Sequence, residues 1–192
     1  MIENRTISET QQLAQVLSRG GIVLYPTDTI WGLGCDALNE KATDRIYSLK
    51  QRPRDKPLIL LVSSIAMLKK YVPRVHPRLE TLLSFHKRPL TVIYPDPVLL
   101  PDFAKGPDGS IAMRVTCDPF CRDLIEHLGG PLVSTSANFS DAPAPEHFGG
   151  ISSDLLRKVD YVAHHRRDQT TVGAPSAIVK LSEKAELIFL RT

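Results

Sequence analysis

Cysteine is scarce in this chain of 192 residues: Cys35, Cys117 and Cys121 are all it has. An odd, sparse count does not read as a disulfide framework. Cys117 and Cys121 stand four apart with Pro119 between them and no second pair elsewhere. A structural zinc, which takes about four ligands, is not indicated, and no metal ligand is assigned. No apolar run approaches the roughly 20 residues that span a bilayer. The N-terminus, Met-Ile-Glu-Asn-Arg-Thr, is polar and has no apolar signal region. The expectation is a soluble cytoplasmic protein without membrane contact. Aromatics are only 6%, with one tryptophan, and they do not interleave with basic residues as in proteins that stack single-stranded bases. The net charge of +3 is mild; it permits anionic ligands such as nucleotides or RNA without demanding them. No G-x-x-x-x-G-K-[ST] run occurs, so any nucleotide is held without a P-loop.

What is present suits one folded domain over residues 1–192. Hydrophobic residues are 42% and charged residues 23%, enough for a core and unlike a disordered composition. Helical periodicity marks 8–19, 42–51, 64–71, 77–86 and 120–128. Short apolar runs predict strands at 22–25, 58–62, 90–94, 110–115 and 132–136, with three more at 161–164, 177–181 and 187–190. Strands and helices alternate, and the last third is β-rich. That predicts an α/β (α+β-like) domain around a mixed sheet, with surface loops at 96–109, 141–150 and 165–175, where binding residues tend to sit.

Several stretches carry candidate chemistry. Gly32-Leu-Gly-Cys-Asp-Ala37 fits a dinucleotide fingerprint, but Gly32 comes seven residues after Tyr25, too late for the turn itself. The run Lys50-Gln-Arg-Pro-Arg-Asp-Lys-Pro57 lies between a helix and a strand. If extended, residues 50, 52, 54 and 56 share one face, and four cations there fit a triphosphate; a solvated linker is the alternative. Pro131-Leu-Val-Ser-Thr-Ser-Ala-Asn138 runs a buried strand into small hydroxyls and an amide. Those groups give directional hydrogen bonds where open α/β sheets hold ligands, or else they form an Asx or Ser/Thr turn. Ser136 is not in G-x-S-x-G and has no marked His/Asp partners, so no nucleophile triad is read. Arg114, on the polar side of an apolar strand, is a candidate carboxylate clamp or a surface ion pair. His164-His165 adjoin, and neighbours in a strand point to opposite faces, which is poor geometry for chelation.

Taken in order, Tyr25-Pro-Thr-Asp-Thr29 with Gly32-Leu-Gly34, Lys50-x-Arg52-Pro through Lys56-Pro-Leu58, Ala112-Met-Arg-Val115, Ser134-Thr-Ser-Ala-Asn138 and Pro175-Ser176 resemble the YrdC/TsaC family of threonylcarbamoyl-AMP synthases, in its short single-domain form. The resemblance covers about residues 8–191. It implies a twisted open sheet flanked by helices, with a large positively charged concave cavity. It implies a nucleotidyltransferase that takes ATP, L-threonine and bicarbonate, with Mg²⁺ accompanying ATP, and releases pyrophosphate. The product serves the t6A modification of tRNA through a downstream transferase complex. By position, Lys50, Arg52 and Lys56 would hold the ATP phosphates and act in catalysis. Ser110, Ser136, Asn138 and Arg191 would contact the nucleotide. Thr29, Arg114, Ser134 and Ser176 would bind threonine.

The chain departs from the family pattern at Leu61, where many members carry histidine. It also departs at Arg88 before the middle strand, at Asp141 after Ser140, and at Ala177 after Ser176. Trp31 packs over the substrate methyl or fills core. Two other readings use the same features: a non-catalytic relative that binds double-stranded RNA or tRNA in the same basic cavity, and a relative acting on another carbamoyl acceptor.

Overall fold

The structure is a computed structural model that describes residues 7–140, 142–170 and 173–192. Among the described residues nine strands form one sheet: β1 (Val23–Tyr25), β2 (Gly32–Gly34), β3 (Ile59–Val62), β4 (Leu90–Tyr94), β5 (Ile111–Val115), β6 (Leu132–Ser136), β7 (Tyr161–Val162), β8 (Ala177–Leu181) and β9 (Leu187–Arg191). Their spatial order is β7-β1-β2-β6-β3-β5-β4-β8-β9. The sheet is mixed: β3 runs parallel to β5, and β4 to β8, while β6 is antiparallel to both of its neighbours. It is also open, ending in β7 on one edge and β9 on the other. The mixed α/β expectation is met.

The helices are α1 (Glu9–Ser18), α2 (Glu40–Lys50), α3 (Ile65–Tyr71), α4 (Pro77–Phe85), α5 (Pro119–Leu128) and α6 (Ser153–Leu156). Local chemistry sets their ends. Ser8 and Gln11 close a reciprocal capping box on α1. Asn39, Ser64 and Asp118 each accept a first-turn N–H, and Pro119 opens α5 where no N–H is needed. Gly129, at φ 76°, ends α5 in the left-handed conformation that glycine adopts without penalty. No described helix is long and apolar enough to cross a membrane. All three cysteines are free thiols, two of them buried.

Three elements differ from the sequence reading. The stretch after β1 does not stay a loop, because Gly32–Gly34 returns as strand β2 between β1 and β6. Its glycines allow that fit. A Cβ on Gly34 would lie 2.7 Å from the Tyr25 ring and 2.9 Å from the Val133 carbonyl. The glycines therefore serve approach to the sheet. The strand expected at 161–164 spans only Tyr161–Val162, and the short α6 lies in a segment for which the sequence reading assigned no element.

Candidate active site

Strand register gathers the site on one face of the sheet. Ile59 pairs with Ser134 and Ala112, Leu61 with Arg114, Thr91 with Arg114, and Gly32 with Ser136. Paired residues share a face, and every second residue along a strand returns to it. The alternate residues Leu60, Met113 and Val133 are almost fully buried in the core. On the first face lies a cavity of about 250 Å³, lined in part by Thr29, Arg52, Arg114, Ser134, Ser136, Ser176 and Arg191. Its described lining holds three arginines, no carboxylate and no aromatic ring.

Arg114 sits at the floor of this cavity and is 4% exposed. Its Nη1 donates to Thr29 Oγ1 at 3.3 Å, and its Nη2 lies 3.1 Å from Asp28 Oδ1. The Asp28 approach is off the hydrogen-bond line, so this contact is an ion pair more than a directional bond. Nε has no protein partner. Thr29 belongs to a directed chain of hydroxyls. Thr27 donates its single proton to the Ile30 carbonyl at 2.8 Å, so across the 2.8 Å contact between the two threonines Thr29 must be the donor. Thr29 Oγ1 therefore faces a ligand only as an acceptor.

A second network closes the far side. Ser176 Oγ lies 2.8 Å from Thr91 Oγ1, both buried. Arg191, on the last strand, donates Nε to the Ser176 carbonyl at 2.8 Å and Nη2 to its hydroxyl at 3.2 Å. Burial and, after it, the nearby Arg114 lower the Arg191 pKa. Just before Ser176 the chain crosses the Thr29 loop so closely that a Cβ on Gly173 would lie 1.6 Å from the Thr29 carbonyl oxygen.

The basic run is not the extended row of four cations expected from sequence. Helix α2 continues through Lys50, and Gln51 at φ 52° turns the chain. Lys50 points inward, 1% exposed, and donates to the carbonyls of Ser136 and Asn138 at 2.6 Å each and to Asn138 Oδ1 at 3.3 Å. All three ammonium protons are used by the protein. Burial and, after it, the Arg52 charge lower its pKa to about 8. Arg54 turns outward, paired with Asp44 and stacked over Tyr47 at 4.4 Å. Of the four cations of the run, Arg52 alone lines the cavity. Its Nε and Nη2 hold the carbonyls of Lys56 and Pro57, leaving the rest of the fork free.

Lys56 and Ser110 lie outside the cavity lining. The Lys56 side chain is exposed, and Ser110 Oγ is bound at 2.6 Å to Asp108. Asn138 also lies outside the lining and uses its amide on Ala142 and Lys50. Trp31 is 6% exposed, its ring 4.9 Å from Phe148, so it fills core and holds the short turn at Phe148–Gly150. His164 binds Glu9 while His165 stacks on Phe120, so the two point apart, although β7 ends before them at Val162. Of the family departures, buried Leu61 stands beside Arg114 in register, and Asp141 lies outside the described residues.

Sequence reasoning missed Thr27, Asp28, Thr91 and Gly173. Thr27 and Asp28 carried a signal, a polar cluster at the mouth of a strand. Thr91 and Gly173 take their meaning from register and from a contact between distant segments.

The model of the Sua5_yciO_yrdC family, described as telomere recombination, matches residues 15–192. A threonylcarbamoyl-AMP synthase of Hahella chejuensis is 41% identical over 129 residues, covering 67% of this chain and 70% of the relative. One from Escherichia coli O1:K1 is 40% identical over 131 residues, covering 67% and 69%. P. abyssi Sua5 complexed with L-threonine superposes with a TM-score of 0.83 at 28% identity, covering 97% of this chain and 55% of that one. This chain therefore spans about half the length of that protein. With the family pattern matched from residue 15 to the last residue, and with its motifs meeting around one cavity, the chain belongs to the Sua5/YciO/YrdC family.

Proposed function

We propose that this chain is a nucleotidyltransferase that joins L-threonine, bicarbonate and ATP into threonylcarbamoyl-AMP, releasing pyrophosphate. The observation that carries the reading is the cavity itself: three arginines and a row of serine hydroxyls, with no carboxylate in the described lining. Every substrate brings negative charge, and fixed donors in a partly dehydrated site stabilise it without reorganising.

Arg114 takes the threonine carboxylate on its unpartnered Nε edge. Thr29 Oγ1, limited to accepting, receives an N–H of the substrate amine. The amine nitrogen bonds to the bicarbonate carbon with loss of water, giving an N-carboxylate. One oxygen of that group then displaces pyrophosphate from the α-phosphorus. The free part of the Arg52 fork faces the phosphates, with Ser136 beside it. Positioning and charge stabilisation supply the rate, so no protein nucleophile is required. Among the described residues no three His, Cys, Asp or Glu side chains gather in metal-binding geometry. Mg²⁺ would thus enter on the ATP phosphates as part of the substrate, a mode usual for this ion.

The product would be handed to the enzymes that complete t6A on tRNA. The test is incubation with ATP, bicarbonate and threonine, with serine as control, read by mass spectrometry. The expected result is threonylcarbamoyl-adenylate with stoichiometric pyrophosphate. No adduct, together with tight and salt-sensitive RNA binding, would replace this reading with that of an RNA-binding relative.

A further inference from the structure

We propose that Asp28 is a positioning residue: it holds Arg114 in register for the substrate carboxylate from outside the catalytic cavity. The inference rests on the reading that Arg114 receives the threonine carboxylate.

Three observations carry it. First, Arg114 is buried, and the Asp28 carboxylate, 3.1 Å from Nη2, is its ion-pair partner among the described residues. A buried cation without a counter-ion is strongly disfavoured, so this carboxylate makes the arginine tolerable on the cavity floor. Second, Asp28 is on the other side of the wall. Arg114 lines the catalytic cavity, whereas Asp28 lines a separate pocket of about 160 Å³ with His86, Lys87, Arg88 and Cys117. Substrate in the first cavity meets the arginine and not the acid. Third, Asp28 does not do what an aspartate in such a turn ordinarily does. Its side chain makes no hydrogen bond to the backbone of its own loop among the described residues, so the Asx-turn explanation fails. The loop is instead pinned by Thr27, through its bonds to Ile30 O and Thr29 N.

The division of labour follows from the guanidinium. It has five N–H donors in a rigid plane. Asp28 and Thr29 engage one terminal nitrogen each, which fixes the plane at two points and leaves Nε directed elsewhere.

The experiment compares Asp28→Asn, Asp28→Glu, Arg114→Lys and the double variant Asp28→Asn/Arg114→Lys, by steady-state pyrophosphate release with threonine and ATP varied separately. Asp28→Asn is expected to raise the threonine KM by about tenfold, the scale of one charge-assisted contact, and to change the ATP KM by less than about twofold. Asp28→Glu, with the charge on a longer arm, shifts the threonine KM in the same direction by a smaller factor. In the Arg114→Lys background, Asp28→Asn adds nothing, because residues acting through one contact are not additive. A purely structural role would move both KM values together. Equal shifts for threonine and ATP, no shift in either, or full additivity with Arg114→Lys would each overturn the proposal. Should Asp28→Asn not fold, the same threonine-to-ATP ratio is read from Asp28→Glu. If Arg114→Lys leaves the threonine KM unchanged, the carboxylate reading itself has failed and the proposal falls with it.

Discussion

Lys50 and Arg114 are both buried cations within motifs that sequence alone would assign to anion binding, yet they are satisfied differently. Lys50 spends all three N–H bonds on protein oxygens at the end of β6. Arg114 spends one terminal nitrogen on a hydroxyl and one on a carboxylate, and keeps Nε unpartnered at the cavity floor. The first pattern is a staple that fixes where Ser136 and Asn138 lie. The second is a clamp with capacity to spare. Buried charge therefore does not identify a ligand group by itself; the unspent donor does.

The comparison can be broken most directly at Arg114. Arg114→Ala is expected to cut threonine-dependent pyrophosphate release about a thousandfold, the upper range for loss of a preorganised charge-stabilising donor, while ATP still binds. Wild-type turnover in that variant would remove the clamp. Lys50→Met is expected to act first on stability. It strands the Asn138 carbonyl, while the Ser136 carbonyl keeps the Asn138 N–H; one acceptor left without a partner costs about 1–3 kcal/mol, so a loss of that size should appear in urea unfolding. Unchanged stability with lost ATP use would make Lys50 a phosphate ligand after all.

A finer test uses pH. The folded pKa of Lys50, about 8, lies below its ordinary value of 10.5. Above pH 8 the unfolded chain holds a proton that the folded chain has released, so this group makes the fold gain stability as pH rises. Between pH 8 and 9 the wild type should gain on Lys50→Met in urea midpoint. Comparison with the variant cancels every group that the two proteins share. A parallel trend in the two proteins would show that the amine is not desolvated. The smallest effect is expected at Lys56, which is exposed and outside the cavity lining: Lys56→Ala should raise the ATP KM by less than about tenfold, and salt should erase the difference.

The sequence exposed the sheet's central strands because β3, β4, β5 and β6 are apolar runs bounded by Pro, Gly or Ser. Strand β2 was hidden because Gly-Leu-Gly has no β-forming signature; it is a strand by virtue of its neighbours. Arg114 was legible as a candidate from its place on the polar side of an apolar strand, and Ser134 and Ser136 from theirs at a strand's C-terminal end. Lys50 was misjudged by treating its segment as extended, although the signal was available. Thr43, Ile46, Tyr47 and Lys50 form the buried stripe of α2 at helical spacing, which sends Lys50 inward. Thr91 and Gly173 were not legible, since each is defined by a partner far away in sequence, at Ser176 and Thr29; Asp28 was visible as part of a polar cluster, but its pairing with Arg114 was not.

The tie between Arg191 and Ser176 gives the edge of the sheet a reporting role. β9 is an outermost strand, and its four apolar residues are each more than a third exposed, so it belongs to the part of the fold that opens at least cost. Opening it withdraws Arg191 and releases Ser176 together, dismantling one wall of the cavity while the Arg114 floor stays intact. A ligand spanning floor and wall must therefore hold the edge shut, and amide exchange along β8 and β9 would slow upon binding even where no substrate atom touches them.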